Sequence, residues 1–236
     1  MGILGNLAGR RAVAEHRKKN IPQALRLYQE ALQKGMNQPV LLRNYSMLLI
    51  HEGRFEKAQE VLRFADRVSK LTPADRSDLT NQYAIVLWKV GKLTESVELL
   101  TQQMSKGKTA ALYSILGALL IETGDATRAE RFNREALEYD ESDPVFLDNM
   151  GQTMYRLFHD VPSAKGYFER AVQHKPGAID PNYFLGLIGM EEGRWEEARH
   201  HLQVASQGHF GPLNYATPER ISTAWTEVEE HAHSND

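Results

Sequence analysis

The chain has 236 residues, of which 42% are hydrophobic and 25% charged, a composition typical of a globular protein rather than a disordered or fibrous one. It contains no cysteine, which excludes disulfides, thiolate metal sites and cysteine nucleophiles. The net charge of −3 conceals an uneven distribution: residues 1–38 carry seven basic and two acidic side chains, whereas residues 177–236 carry three basic and ten acidic ones.

From the N-terminus onward, the hydrophobic pattern predicts six pairs of helices with a period near 34 residues. The pairs are expected at 5–38, 39–76, 77–109, 110–143, 144–178 and 179–212. Each pair has a turn position in its middle, and this position recurs at intervals of 34, 38, 33, 35 and 34 residues: Lys19, Gly53, Gly91, Gly124, His159 and Gly193.

Small side chains occupy three further positions of every repeat, in register with the turn. Before the turn they are Ala12, Ser46, Ala84, Gly117, Gly151 and Gly186. Five residues after it they are Ala24, Ala58, Ser96, Ala129, Ala164 and Ala198. Seven residues further on they are Ala31, Ala65, Gln103, Ala136, Ala171 and Ala205, where glutamine is the exception. Small residues at fixed positions predict two helices whose axes approach closely.

The third repeat departs from the pattern. Gln103 stands where alanine is expected, and the preceding segment SKLTPADRSD is about four residues longer than its equivalents. We expect a local change of curvature at this junction, with Gln103 either hydrogen-bonded in a looser joint or exposed.

Residues 213–236 follow the last repeat and lack its pattern. A loop is expected first, and then a helix that starts at Thr217 with Pro218 in its first turn. Ile221, Ala224, Trp225 and Val228 form one apolar stripe, which predicts a helix that caps the end of the stack. The last six residues, HAHSND, are expected to be a disordered tail.

Three segments carry a resemblance to a known family. The strings LGALLIETGDATRAERFNREALEYD (116–140), MGQTMYRLFHDVPSAKGYFERAVQHKP (150–176) and FLGLIGMEEGRWEEARHHLQVA (184–205) resemble tetratricopeptide repeats (TPRs). The family's early tryptophan is absent. The resemblance implies an all-α fold, an α-solenoid in which TPR hairpins of two helices wind into a right-handed superhelix closed by the C-terminal capping helix.

The resemblance also implies where a partner binds, because the first helix of each TPR lines the concave groove. Inward positions of these helices carry polar residues and large apolar ones, which suit an amphipathic helix or an extended apolar peptide. An alternative interpretation is that these side chains pack partly against the next repeat. The predicted partner-binding residues are Arg43, Asn44, Met47, Asn81, Ile85, Trp88, Gln152, Tyr155, Tyr183 and Leu187.

Catalytic, metal and cofactor sites are not expected. His51-Glu52 lacks the second histidine of a zinc helix, and the adjacent His200 and His201 point about 100° apart on a helix. Glycines stand singly rather than in a phosphate loop. The basic N-terminal residues lack the interleaved aromatic side chains of single-strand binders, so nucleic acid is not an expected partner.

The sequence therefore predicts a non-catalytic interaction scaffold or adaptor that binds another protein or peptide in its groove. One alternative is self-assembly, with the basic N-terminal end of one copy meeting the acidic C-terminal end of another; the second is an accessory or regulatory subunit of an enzyme. No stretch approaches the roughly 20 apolar residues of a membrane helix, so membrane insertion is not expected. The start MGILGNLAGRR has the reverse charge order of a secretory signal, so the expected location is the cytoplasm.

Overall fold

The computed structural model describes residues 2–68 and 70–234, and these form thirteen α-helices and no strand. The chain divides into two compact units, Met1–Gly107 and Lys108–Asp236. The boundary between the units falls close to that between the third and fourth predicted repeats. None of the helices in the described part is both long and apolar enough to cross a membrane.

The first unit consists of three helical hairpins. Its helices are α1 (Ile3–Arg17), α2 (Ile21–Gln33), α3 (Pro39–His51), α4 (Phe55–Val68), α5 (Pro73–Lys89) and α6 (Leu93–Met104). Consecutive helices pack as the pairs α1–α2, α3–α4 and α5–α6, and the first helices α1, α3 and α5 also contact one another in sequence. The first helices therefore form one layer of this unit.

The second unit repeats this arrangement and adds a thirteenth helix. It contains α7 (Ala110–Glu122), α8 (Ala126–Tyr139), α9 (Pro144–Thr153), α10 (Val161–His174), α11 (Ile179–Glu191), α12 (Trp195–Ser206) and α13 (Pro218–Ser234). The helix α9 continues into a π-helical turn, Met154–Phe158. The first helices α7, α9 and α11 contact one another in sequence, as they do in the first unit.

The positions predicted to be small are the points of closest helix contact. All of them except Gln103 are buried. An added Cβ atom on Gly151 would stand 2.5 Å from the ring of Phe168, and one on Gly186 would stand 2.8 Å from Leu202. Larger residues at these positions would therefore push the two helices of a hairpin apart.

Gln103 is hydrogen-bonded, which is one of the two alternatives that the sequence left open. Its Nε2 atom donates to Ser77 Oγ at 2.7 Å and to Asn81 Oδ1 at 3.1 Å. The side chain is half-buried. The amide thus links α6 to α5 at the position where the other hairpins place an alanine.

The helix α13 covers α11 and α12. Ile221, Ala224 and Val228 are 3%, 4% and 3% exposed, and Trp225 packs beside them. The helix extends through Ser234, so the prediction of a disordered tail from residue 231 was wrong for residues 231–234. The remainder of that tail, 235–236, lies outside the described residues.

Candidate functional site

The second unit contains a pocket of about 580 Å³ on the face formed by its first helices. Residues of α7, α9 and α11 line it on one side, and the segment 209–214, which connects α12 to α13, lines it on the other. Side chains that matter for its chemistry are Ser114, Ala118, Asp148, Gln152, Asp180 and Asn214. The pocket combines hydrogen-bonding groups with the apolar walls of Val145, Ile179 and Leu213.

Asp180 of α11 holds the connecting segment in place, and this segment forms one wall of the pocket. One carboxylate oxygen accepts from Ala216 N at 2.8 Å, and the other accepts from Tyr215 N at 3.0 Å and from Asn214 Nδ2 at 3.1 Å. Burial raises the pKa of Asp180, while these three donors oppose that shift. Both oxygens are therefore committed to holding the segment against α11.

Tyr215 strengthens the same attachment. Its ring stacks on Phe184 of α11 with the ring centroids 5.3 Å apart. The guanidinium groups of Arg156 and Arg220 lie over the ring, at 4.0 Å and 3.8 Å from its centroid. Aromatic stacking and cation–π contacts together fix the aromatic side chain on the first-helix face.

Of the two acidic side chains that line the pocket, Asp148 accepts fewer hydrogen bonds than Asp180. Its Oδ1 atom accepts from Gln152 Nε2 at 3.1 Å. Burial, and next the charge of Asp180, raise the pKa of Asp148 well above its ordinary value, although Gln152, Arg156 and Lys175 act in the opposite direction. A ligand that brings an N–H donor or a positive charge would stabilise this carboxylate.

The π-helical turn at the end of α9 places Arg156 beside this pocket. Arg156 Nη1 lies 2.8 Å from Glu122 Oε1 of α7 and donates to Gln152 Oε1 at 3.1 Å. The guanidinium group thus holds the Gln152 amide, whose nitrogen donates to Asp148. A chain of polar contacts connects α7, α9 and the connecting segment.

The four predicted site residues of the second unit occupy different environments. Gln152 lines the pocket but is only 5% exposed. Tyr155 is half-buried and donates to Glu191 Oε1 at 2.5 Å. Burial and this hydrogen bond raise the pKa of Tyr155. Tyr183 is buried and Leu187 half-buried.

The six predicted residues of the first unit lie on α3 and α5. Arg43, Asn44, Met47 and Trp88 are half-buried, so each presents some surface. Arg43 forms an ion pair with Asp78. The Lys89 ammonium lies 3.8 Å from the centre of the Trp88 ring.

Asn81 and Ile85, the other two, are buried, at 7% and 5% exposure. Asn81 accepts from Gln103, so it helps to join α5 to α6. Buried positions agree with the alternative interpretation, in which inward residues pack within the scaffold. Among the described residues, no group of three or more histidine, cysteine or acidic side chains could hold a metal ion.

Sequence reasoning missed Asp148, Asp180 and Tyr215 as site residues. Asp148 lies at an inward position of its helix in the same register as Arg43 and Asn81, so a carboxylate there was a usable signal. Asp180 of α11 and Tyr215 gave no comparable signal, because their contact depends on the connecting segment, which has no periodicity from which its path could be deduced.

Paired helices in two units, without strands in the described ranges, define an all-α solenoid of helical hairpins. No protein-family model matches the sequence. No curated protein matches it either.

Solved structures do resemble it. A TPR protein from Parabacteroides merdae has a TM-score of 0.78 and 14% identity, with 95% of this chain and 84% of that one covered. PilW, a widely conserved type IV pilus biogenesis factor, has a TM-score of 0.68 and 16% identity, with 94% and 98% covered. A thermophilic TPR protein in Thermus thermophilus has a TM-score of 0.65 and 13% identity, with 81% and 99% covered. The chain has the TPR fold.

Proposed function

We propose that this chain is a non-catalytic interaction scaffold that holds a peptide or helix of another protein on the first-helix faces of its hairpins. The observation that carries this proposal is the pocket of about 580 Å³ in the second unit, which three successive first helices line. TPR hairpins place their first helices side by side, so such a face offers a continuous surface for an elongated ligand.

The pocket has the chemistry that peptide recognition requires. Apolar walls accept a side chain, and a few placed polar groups fix its orientation. Asp148 accepts one hydrogen bond, from Gln152, and its carboxyl group can engage an N–H of a peptide backbone or of a polar side chain as well. The second unit is therefore the principal binding site in this proposal.

The first unit supplies a weaker, additional contact. Met47 and Trp88 present partly exposed apolar surface on neighbouring first helices, while Arg43 and Asn44 offer polar groups on the same face. Large aromatic and flexible methionine side chains are frequent anchors at protein interfaces. We propose that these four residues contact a segment of the same partner.

An arginine placed in the pocket tests the proposal. Ala118 is half-buried on α7 and lines the pocket, so Ala118→Arg would fill the site with little effect on the core. Thr127 is exposed on α8, a second helix that does not line the pocket, so Thr127→Arg is the matched control. Wild type and both variants would be used for affinity capture from the native cell extract, with identification of retained proteins by mass spectrometry.

We expect a partner protein that wild type and Thr127→Arg retain and that Ala118→Arg loses, while circular dichroism shows equal helix content. Binding of the recovered partner to purified protein would then be measured by calorimetry, with at least a tenfold weaker affinity for Ala118→Arg, which corresponds to about 1.4 kcal/mol. Equal retention by all three proteins would contradict the assignment of the pocket as the binding site.

A further inference from the structure

The uncovered face of α1 forms one continuous stripe. Gly5, Gly9 and Ala12 are buried on the packed side of the helix, where α1 contacts α2 and α3. Every exposed residue from 3 to 18 lies on the opposite side, within an arc of about 140° at 100° per residue. The stripe consists of Ile3, Leu4, Leu7, Arg10, Arg11, Ala14, Arg17 and Lys18.

Large apolar side chains occupy the first turns of this stripe. Ile3, Leu4 and Leu7 are 83%, 70% and 51% exposed. They account for three of the seven exposed large hydrophobic residues in the described part of the chain. Apolar surface so concentrated within five residues favours contact with another apolar phase.

Basic side chains occupy the remaining turns. Arg10, Arg11, Arg17 and Lys18 share the stripe, and Lys19 follows in the turn after α1. Glu15 lies at the edge of the stripe, half-buried, and bonds to Lys18 at 2.8 Å and to Asn20 at 2.9 Å. The stripe itself therefore carries positive charge and no acidic residue.

We infer that this stripe docks on the surface of an anionic lipid bilayer. Helices that lie in a membrane interface insert apolar side chains about 5–10 Å deep and place lysine and arginine at the lipid phosphates. Ile3, Leu4 and Leu7 would enter the acyl boundary, and the long aliphatic stems of the arginines would let their charges reach the headgroups. Each basic residue near such a surface strengthens binding by about fivefold.

A second copy of the chain would complement the stripe less completely. The outer face of α13 is acidic through Glu219, Glu227 and Glu230, and it also exposes Arg220, Pro218 and the hydroxyl side chains Ser222, Thr223 and Thr226. This face could pair with the arginines, but the described part of α13 has no exposed large hydrophobic side chain to meet Ile3, Leu4 and Leu7. An anionic bilayer supplies both the charge and the apolar phase.

Vesicle sedimentation with the full chain tests the inference. The vesicles would contain either phosphatidylcholine alone or an equimolar mixture of phosphatidylcholine and phosphatidylglycerol. The charge variant is Arg10→Glu with Arg11→Glu, and the apolar variant is Leu4→Ser with Leu7→Ser. The matched control is Arg128→Glu with Arg131→Glu, which makes the same charge change at two exposed positions of α8.

We expect wild type and the control to sediment with the anionic vesicles and not with the neutral ones. The charge variant should bind at least about 25-fold more weakly, since two favourable charges are lost. The apolar variant should also bind more weakly, and salt should weaken wild-type binding. Circular dichroism would verify that each variant is folded.

Any of four results would overturn the inference. The first is no sedimentation of wild type with anionic vesicles. The second is an equal loss of binding in the Arg128/Arg131 control, because attraction would then depend on overall charge. The third is undiminished binding of the apolar variant, which would exclude insertion. If light scattering without vesicles shows a concentration-dependent oligomer that the charge variant abolishes, the stripe binds a second copy instead.

Discussion

Individual residues carry strain at two of the six hairpin turns. The turn position has a positive φ angle in every repeat, and Gly53, Gly91, Gly124 and Gly193 occupy four of these positions. Lys19 and His159 occupy the other two with φ angles of 60° and 56°. A side chain in this left-handed region costs about 1–2 kcal/mol. These two turns are therefore held in place by the packing of their hairpins.

Glycine at such a turn should stabilise the fold. We expect His159→Gly to raise the free energy of unfolding by about 1 kcal/mol, since glycine adopts this conformation without strain. Gly53→Ala should lower it by a similar amount, because an added Cβ there meets nothing within 4 Å and only the backbone is affected. Urea unfolding measures both. A destabilised His159→Gly variant would show that the imidazole makes a contact more valuable than the relief of strain.

The stability of the fold should depend on pH through Asp148. Because its pKa is raised in the folded protein, the folded state holds this proton more tightly than the unfolded state, whose pKa is near 3.8. Stability is then lost as the pH rises above the unfolded pKa towards the folded one. Asp148→Asn removes this loss. We expect its melting temperature to exceed that of wild type at about pH 7, with a smaller difference at about pH 4.

Asp125→Asn provides the control for that experiment. Asp125 is an exposed N-cap residue of α8, where asparagine is an equally good cap. Its melting temperature should follow that of wild type over the same pH range. If the melting temperature of Asp148→Asn exceeds that of wild type by the same amount at both pH values, the raised pKa of Asp148 is not the cause.

Among the structural elements, α9 differs from the other first helices by one residue. The small position and the turn position are seven residues apart in five repeats, and eight apart between Gly151 and His159. The structure accommodates the additional residue as the π-helical turn Met154–Phe158. Such turns arise from single-residue insertions into α-helices and are frequent at functional sites. Here the turn carries Arg156, which contacts both Glu122 and Tyr215.

The attachment of the segment between α12 and α13 should depend on the carboxylate of Asp180. We expect Asp180→Ala to lower the free energy of unfolding by about 3 kcal/mol, because it leaves three donors without their charged acceptor. Hydrogen exchange should accelerate at the amides of Tyr215 and Ala216, which donate to Asp180. Asp160→Ala, which removes an N-cap of α10, is the control, and it should cost about 1 kcal/mol without affecting those amides. Unchanged exchange in Asp180→Ala would contradict the anchoring role.

For the whole molecule, periodic features were predictable and non-periodic ones were not. The six turn positions and the buried small positions follow from spacing, since a helical hairpin can place only small residues where its axes meet. The path of the segment 209–217 cannot be deduced from spacing, because it depends on the long-range contacts of Asp180 and Tyr215. Burial of Asn81 and Ile85 likewise depends on the neighbouring helices, which the period alone does not specify.

The attachment of the segment at Asp180 limits where the array can gain or lose repeats. A seventh hairpin added after α12 would need the surface of α11 and α12 that α13 covers, and its first helix would compete with Tyr215 for the ring of Phe184. Extension at this end would therefore require the loss of the Asp180 hydrogen bonds and the exposure of Ile221, Ala224 and Val228. Duplication or deletion of repeats, the ordinary means by which solenoids change length, can be tolerated only upstream of α11.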